Sequence, residues 1–167
     1  MDAEQFPIPE RTQRGTRWIT RERPKIDRIA CPWLILRFVD ADAQFLYAPA
    51  SGVLAAARAE RAVPYDIPGV HFSHRGERCS FDAFIEHYQL TAPGLQQLAD
   101  IVRGADTSRL DLTPQSAGLF AISLGLSALY SDDHEMLRQG LVVYDALYAW
   151  CKSLQAETHN WPPKMKP

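Results

Sequence analysis

Residues 17–50, RWITRERPKIDRIACPWLILRFVDADAQFLYAPA, decide the fold. RWIT reads as a short strand. In the following IDRIACPWLILRFVD, the apolar residues Ile29, Trp33 and Leu36, with Leu34 and Phe38, recur at helical spacing. AQFLYAPA reads as a second strand, closed by Pro49. Working outward, SGVLAAARAERA predicts a short Ala-rich helix with Ser51 as its cap. VPYDIPGVHFSHRGER, with two prolines and two glycines, predicts an extended segment and loops.

Downstream the pattern is helical. CSFDAFIEHY follows Ser80 as an expected N-cap. PGLQQLADIVRG starts near Pro93 and is expected to stop at Gly104. TPQSAGLFAISLGLSALY opens with Thr113 as cap and Pro114 in the first turn. Its small residues Ala117, Ala121, Gly125 and Ala128 lie close to one face, where another backbone is expected to pack. DDHEMLRQGLVVYDALYAWCKSL carries a capping box, Asp132 with Glu135, and an apolar face of Leu137, Leu141, Tyr144, Tyr148 and Cys151. Strands first and helices afterwards predict a mainly helical α+β fold, with about five to six helices and a small sheet of short N-terminal strands. The expected organisation is a flexible polar arm over 1–17, a single domain over 18–155 and a Pro-rich tail over 156–167.

The chain has 167 residues, 46% apolar and 23% charged, with a formal net charge of −2. That balance excludes a whole-protein affinity for nucleic acid or an anionic membrane. Arg11 to Lys25 is locally basic, but a single aromatic residue, Trp18, does not make the interleaved pattern that base contacts need. Three widely spaced cysteines without a CxxC, and an N-terminus without an apolar signal segment, predict free thiols in a reducing cytoplasm. No membrane segment is expected. The glycine-rich nucleotide loops and the common hydrolase motifs are absent, so no nucleotide cofactor is expected.

Chemistry-bearing residues gather in a few loops. GVHFSHRGERCSFD offers His71, His74, Glu77, Cys79 and Asp82, all metal-ligating types. On an extended chain positions 71 and 74 face opposite ways, and His74 sits in the turn, the better place for a functional imidazole. Asp106 follows Gly104 near a helix end, where an Asx-turn role is the ordinary one. His134 falls in the first turn of a helix, where the dipole favours a neutral ring. Arg28, Arg75, Arg78 and Arg103 lie near the same loops and suit an oxyanion, although surface pairing with acids is the ordinary role. Cys31 presents a fork. If Asp27 caps the helix, Pro32 falls inside it; if the helix starts at Pro32, Cys31 takes the N-cap and gains a reactive thiol.

Five ordered stretches, RPKIDRIACPWLILRFVD, HRGERCSFDAF, IVRGADT, AGLFAISLGLS and YDALYAW, resemble the C-terminal domain of the chromate-resistance ChrB family over roughly residues 18 to 154. The resemblance implies a role in bacterial chromate resistance, and its motifs point at Asp27, Arg28, Trp33, His74, Cys79, Asp82, Asp106 and Tyr144/Asp145. Longer family members resemble chromate-responsive regulators with an additional N-terminal region. The short segment before the matched stretches leads us to expect no separate DNA-binding domain here, and nucleic acid is not an expected partner.

Three functions follow. The first is a cytoplasmic domain binding an oxyanion, chromate or sulfate, or a metal ion, as sensor or accessory factor. Its ligand-binding set is Asp27, Arg28, Arg75, Arg78 and Arg103. The second is a metal-dependent enzyme or sensor using Mn, Fe or Zn, with ligands from His74, Asp106, His134 and Glu77. The third is a thiol-dependent Cr(VI) reductase using Cys31 and Cys79. Whether the chain is an enzyme stays open at this point, and a homo-oligomer is compatible with the sequence.

Overall fold

A computed structural model describes residues 6–159. The fold is α+β and mainly helical. Strand β1 (Arg17–Arg21) lies at the centre of a small parallel sheet, between β2 (Gln44–Ala48) and β3 (Val63–Pro64). Parallel neighbours need crossover connections. Helix α1 (Asp27–Leu34), prolonged by a π-helical turn over Ile35–Val39, carries the chain from β1 to β2. Helix α2 (Val53–Glu60) carries it from β2 to β3. Alternation along β1 then sorts the core, since successive side chains take opposite faces. Trp18 joins the large cluster with α1, whereas Ile19 joins a smaller one with Val53 and Ala57 of α2.

The remaining helices are α3 (Ser80–Tyr88), α4 (Leu95–Asp106), α5 (Ser116–Leu129) and α6 (Asp133–Ala149). Several ends differ from the sequence reading for identifiable reasons. A 3-10 turn over Ala50–Gly52 precedes α2, which has no side-chain cap from Ser51. Helix α3 is capped by Cys79, with the Asp82 carboxylate accepting from the Cys79 amide at 3.0 Å, so Ser80 is the first helical residue. Helix α4 runs through Gly104 to Asp106, because this glycine serves packing: a Cβ there would collide with the Ser116 side chain. Helix α5 begins two residues after Pro114, and Thr113 still accepts from the Ser116 amide at 3.2 Å. The expected cap of α6 is present, with Asp132 accepting from the Glu135 amide at 2.7 Å.

The small-residue face of α5 is corrected as well. Ala117, Ala121, Gly125 and Ala128 are exposed, and the helix buries Ser116, Leu119 and Ser123 instead. Close helix packing occurs elsewhere: a Cβ at Gly140 of α6 would lie 2.5 Å from the Ile29 side chain of α1. The same two helices are fastened by Asp145, which accepts from the Trp33 indole at 2.8 Å and from the Arg37 guanidinium at 2.9 and 2.7 Å. Of the expected arm, Pro9 is buried and accepts a hydrogen bond from the Tyr88 hydroxyl at 2.8 Å. Residues 1–5 of the arm, and 160–167 of the tail, lie outside the described residues. Among the described residues no helix is long and apolar enough to cross a membrane.

Candidate metal centre

The carboxyl ends of parallel strands are where α/β folds place ligands. Here that edge is formed by Arg21 at the end of β1 and by Asp66, two residues beyond β3. Helix α1 starts beside it in an unusual way. Ile26, the residue before the helix, has φ 43°, a left-handed conformation that a β-branched side chain rarely adopts. Its carbonyl accepts from the Tyr144 hydroxyl at 3.2 Å. Arg23, also at positive φ (56°), is tied by its amide to Asp133 and by its guanidinium to the carbonyls of Ser127, Tyr130 and Ser131. These ties hold the strained turn, and the turn drives Asp27 into the interior, where it is completely buried.

Four side chains meet there. His74, from the loop before α3, places Nε2 at 2.9 Å from Asp106 Oδ2, 3.4 Å from Asp66 Oδ1 and 3.5 Å from Asp27 Oδ2. Asp106 is the last residue of α4, and its other oxygen accepts from the Asp27 amide at 3.3 Å. Ser80, opening α3, donates its amide to Asp27 Oδ2 at 2.6 Å and its hydroxyl to Asp66 Oδ1 at 2.7 Å. Asp66 Oδ2 faces Arg21 at 3.3 Å and Arg28 at 3.6 Å. Asp27 Oδ1 is buried without any hydrogen-bond partner. A buried, unpartnered carboxylate oxygen is costly unless something cationic completes it.

The electrostatics follow from this crowding. Burial first, and the Asp106 carboxylate next, raise the Asp27 carboxyl to about 8. Hydrogen bonds to Asp106, Asp27 and Asp66 raise His74 to about 12, so its ring is an imidazolium in the metal-free protein. Burial pulls Asp66 upward, but hydrogen bonds from His74 and Ser80 outweigh it and leave that group below the ordinary carboxylate value. One oxygen each from Asp27 and Asp66 and a ring nitrogen of His74 lie within 4.8 Å of one another. For metal–ligand bonds of about 2.1 Å, a tetrahedral edge is roughly 3.4 Å, close to the 3.4 and 3.5 Å separations found. Asp27, Asp66 and Asp106 surround His74, whose imidazolium is the cation of the cluster.

The other sequence candidates are placed elsewhere. Arg75 donates to the His71 carbonyl at 2.9 Å, and Arg78 faces Glu86 at 3.8 Å. Arg103 forms a two-pronged pair with the buried Asp82 at 2.8 and 2.7 Å. Glu77 is exposed, beside a hollow of about 190 Å³ also lined by Arg78, Arg103, Thr107, Arg109 and Leu112. His134 packs edge-on against Tyr47, ring centres 5.2 Å apart, at the start of α6. Among the described residues, neither Glu77 nor His134 joins the metal-ligating group.

Cys31 lies in the second turn of α1 with Pro32 inside the helix, which overturns the arm of the fork that set Cys31 at an N-cap. Pro32 lacks the amide that would bond the Arg28 carbonyl, and the Tyr65 hydroxyl reaches that carbonyl at 3.4 Å. Burial raises the Cys31 and Cys79 thiols well above their ordinary range, the opposite of what a reactive thiol needs.

Asp66 was missed by the sequence reading. Its only signal is an acid between two prolines just after a two-residue strand, and its meaning depends on knowing that the strand is parallel to β1.

Comparison with known proteins places the chain in a family. Residues 18–151 match the family described as ChrB, C-terminal domain. The chain belongs to the ChrB chromate-resistance family. It is also similar to Protein ChrB of Cupriavidus metallidurans, 32% identical over 147 residues. That match covers 84% of this chain and 43% of the relative, so the chain spans less than half of that ChrB protein. No solved structure gives a significant match. Asp27, His74 and Asp106 all fall inside the matched ChrB region, and so does Asp66.

Proposed function

We propose that this ChrB domain binds one divalent transition metal, Mn, Fe or Zn, through Asp27, Asp66 and His74, with Asp106 as fourth ligand, and acts in chromate resistance as a cytoplasmic metal-dependent sensor or accessory factor. The observation that carries this reading is the orphaned Asp27 Oδ1, fully buried next to a carboxylate and an imidazole already at ligand spacing. Mixed oxygen and nitrogen ligands from four segments suit these metals. Loading requires His74 to give up the Nε2 proton that now bonds Asp106, after which Asp106 Oδ2 is free to turn to the metal. The three carboxylates argue against a free oxyanion in the same place. The cytoplasmic setting is supported by three buried, unbridged cysteines.

Elemental analysis of protein purified without added metal, and again after reloading with Mn, Fe(II) or Zn, tests the reading. At this site one equivalent is expected in the wild type and none in Asp27→Ala or His74→Ala, with Mn as the cleanest readout because a carboxylate set favours it more than imidazole alone does. Substoichiometric metal in every wild-type preparation overturns it.

One observation favours oxyanion binding as a second reading. The hollow is lined by Arg78, Arg103 and Arg109, together with Glu77 and Thr107, so arginines outnumber acids around it. Calorimetric titration with chromate and sulfate tests it, and heat that persists in Arg109→Ala removes it.

A further inference from the structure

The loop that delivers His74 is clasped to α3 by a second pair of imidazoles, which the centre described above does not use. His71 Nε2 and His87 Nδ1 lie 3.1 Å apart, with the ring planes 84° to one another. Both residues are exposed, so solvent and ions reach them. Both rings nevertheless have a firm seat. Each stands edge-on to Phe72, at 4.7 and 5.2 Å between ring centres, and Phe72 is fully buried and stacked on Phe84 at 4.0 Å. His87 also packs edge-on against Tyr88 at 4.7 Å. The rings are thus oriented by packing before any ligand arrives, which removes much of the ordering cost of binding.

We propose that His71 and His87 form a second, two-imidazole site for a borderline divalent cation, Zn²⁺, Ni²⁺ or Cu²⁺, distinct from the carboxylate centre. A cation about 2.05 Å from each nitrogen, at their present separation, would subtend roughly 100°, between a square-planar and a tetrahedral angle. Water would complete the shell from the exposed side. Binding replaces the single proton shared between the two nitrogens, so the hydrogen bond of the metal-free state and the metal bridge are alternatives at the same place. Burial and the nearby Arg75 charge both disfavour protonation of these rings, leaving them neutral and able to ligate. Arg75 itself is held by the His71 carbonyl. A bridged cation would fasten the loop to the last turn of α3, three residues before His74.

This inference stands independently of the carboxylate centre, and ligand hardness separates the two. Imidazole favours Zn²⁺ over Mn²⁺ far more strongly than a carboxylate set does. Metal-free full-length protein is titrated calorimetrically with Zn²⁺ and with Mn²⁺, alongside His71→Ala and His87→Gln. The expected result is that each variant binds one Zn²⁺ fewer than the wild type, while Mn²⁺ stoichiometry is the same in all three proteins. The Zn²⁺ difference is expected whether or not Mn²⁺ binds at all, so failure of the His74 centre leaves this test intact. Full wild-type Zn²⁺ stoichiometry in either variant overturns the proposal. His87→Gln retains bulk and polarity, and matching circular-dichroism melts establish that a lost equivalent reflects the lost imidazole.

Discussion

Replacing Asp27 by asparagine should make the protein in chelator more stable at neutral pH while abolishing metal binding at the proposed centre. Asp27 is fully buried, and its carboxyl is raised from 3.8 to about 8. An acid whose folded value exceeds its unfolded one keeps its proton longer in the native state. Its contribution to stability therefore declines as pH rises from about 4 to about 8, by about 1.4 kcal/mol per pH unit. By pH 7 that amounts to about 4 kcal/mol. Asparagine removes the ionisation but sets an amide NH₂ in the place of the orphaned Oδ1, where no acceptor waits, at a cost of about 1–3 kcal/mol. The net expectation is a gain of about 1–3 kcal/mol at pH 7 that turns into a small loss near pH 4, where the ionisation penalty has fallen below about 1 kcal/mol and the cost of the amide remains. His74, raised to about 12, adds stability that is complete below its ordinary 6.5 and lost as pH climbs towards 12. The Asp27→Asn variant keeps Asp66 and Asp106, which maintain much of that slope.

Urea denaturation of both proteins in chelator at about pH 4.5, 7 and 9 measures the difference. Added Mn²⁺ should then stabilise the wild type and leave the variant unmoved, because a ligand that binds only the native state adds stability by mass action. A variant less stable than wild type at both pH 7 and pH 9, or a difference that does not move with pH, refutes the argument. A polar group that lowers the stability of its own fold, and is relieved only by a ligand, is the expected signature of a binding site.

Four further outcomes follow from particular contacts. Metal uptake must expel the His74 proton and ionise Asp27, so calorimetric enthalpies should differ between phosphate and Tris, and apparent affinity should rise about tenfold per pH unit for each proton displaced; buffer-independent enthalpies would contradict this. Gly140→Ala drives a methyl into Ile29 and should cost about 1–3 kcal/mol, read as a lower thermal midpoint. Asp82→Ala strips Arg103 of its two-pronged partner and the Cys79 amide of its acceptor, and should cost about 3–5 kcal/mol in urea denaturation. Native protein should react only slowly with a thiol-specific disulfide reagent, and all three cysteines should react once urea unfolds it, since Cys31, Cys79 and Cys151 are buried.

What could be read in the sequence was whatever depended on local pattern. The spacing of Ile29, Trp33 and Leu36 identified α1, and Asp132 with Glu135 identified the start of α6. His74, Asp27 and Asp106 were visible as chemistry-bearing residues near element ends. What could not be read was pairing across distance. Ala117, Ala121, Gly125 and Ala128 form the pattern of a packing face, yet the tight approaches are made by Gly104 and Gly140, each isolated in its helix. Arg75, Arg78 and Arg103 resemble a converging anion set, but each is engaged by a neighbour that only the fold supplies. Asp66 became legible only once β3 was seen to lie parallel to β1, which sets the residues after it on the same edge as Arg21.

The stretch that fixes the fold also explains why the site lies where it does. Burying a carboxyl group with one oxygen unpartnered and holding Ile26 at positive φ are each unfavourable, and each is of the kind that persists only where the surroundings over-determine it. Here the two are adjacent, and the devices that enforce them converge. Arg23 is pinned to the start of α6, the Ile26 carbonyl to Tyr144, and the Asp27 carboxylate to the first amide of α3. Pro32 frees the Arg28 carbonyl for Tyr65, which comes immediately before Asp66. A helix needed only for packing would gain stability by relaxing that turn and placing an apolar residue at position 27. Retaining strain, charge and an open carboxylate oxygen together makes sense when a cation completes them, and His74, held at three carboxylates by a loop that His71 and His87 clasp, is the group placed to receive it.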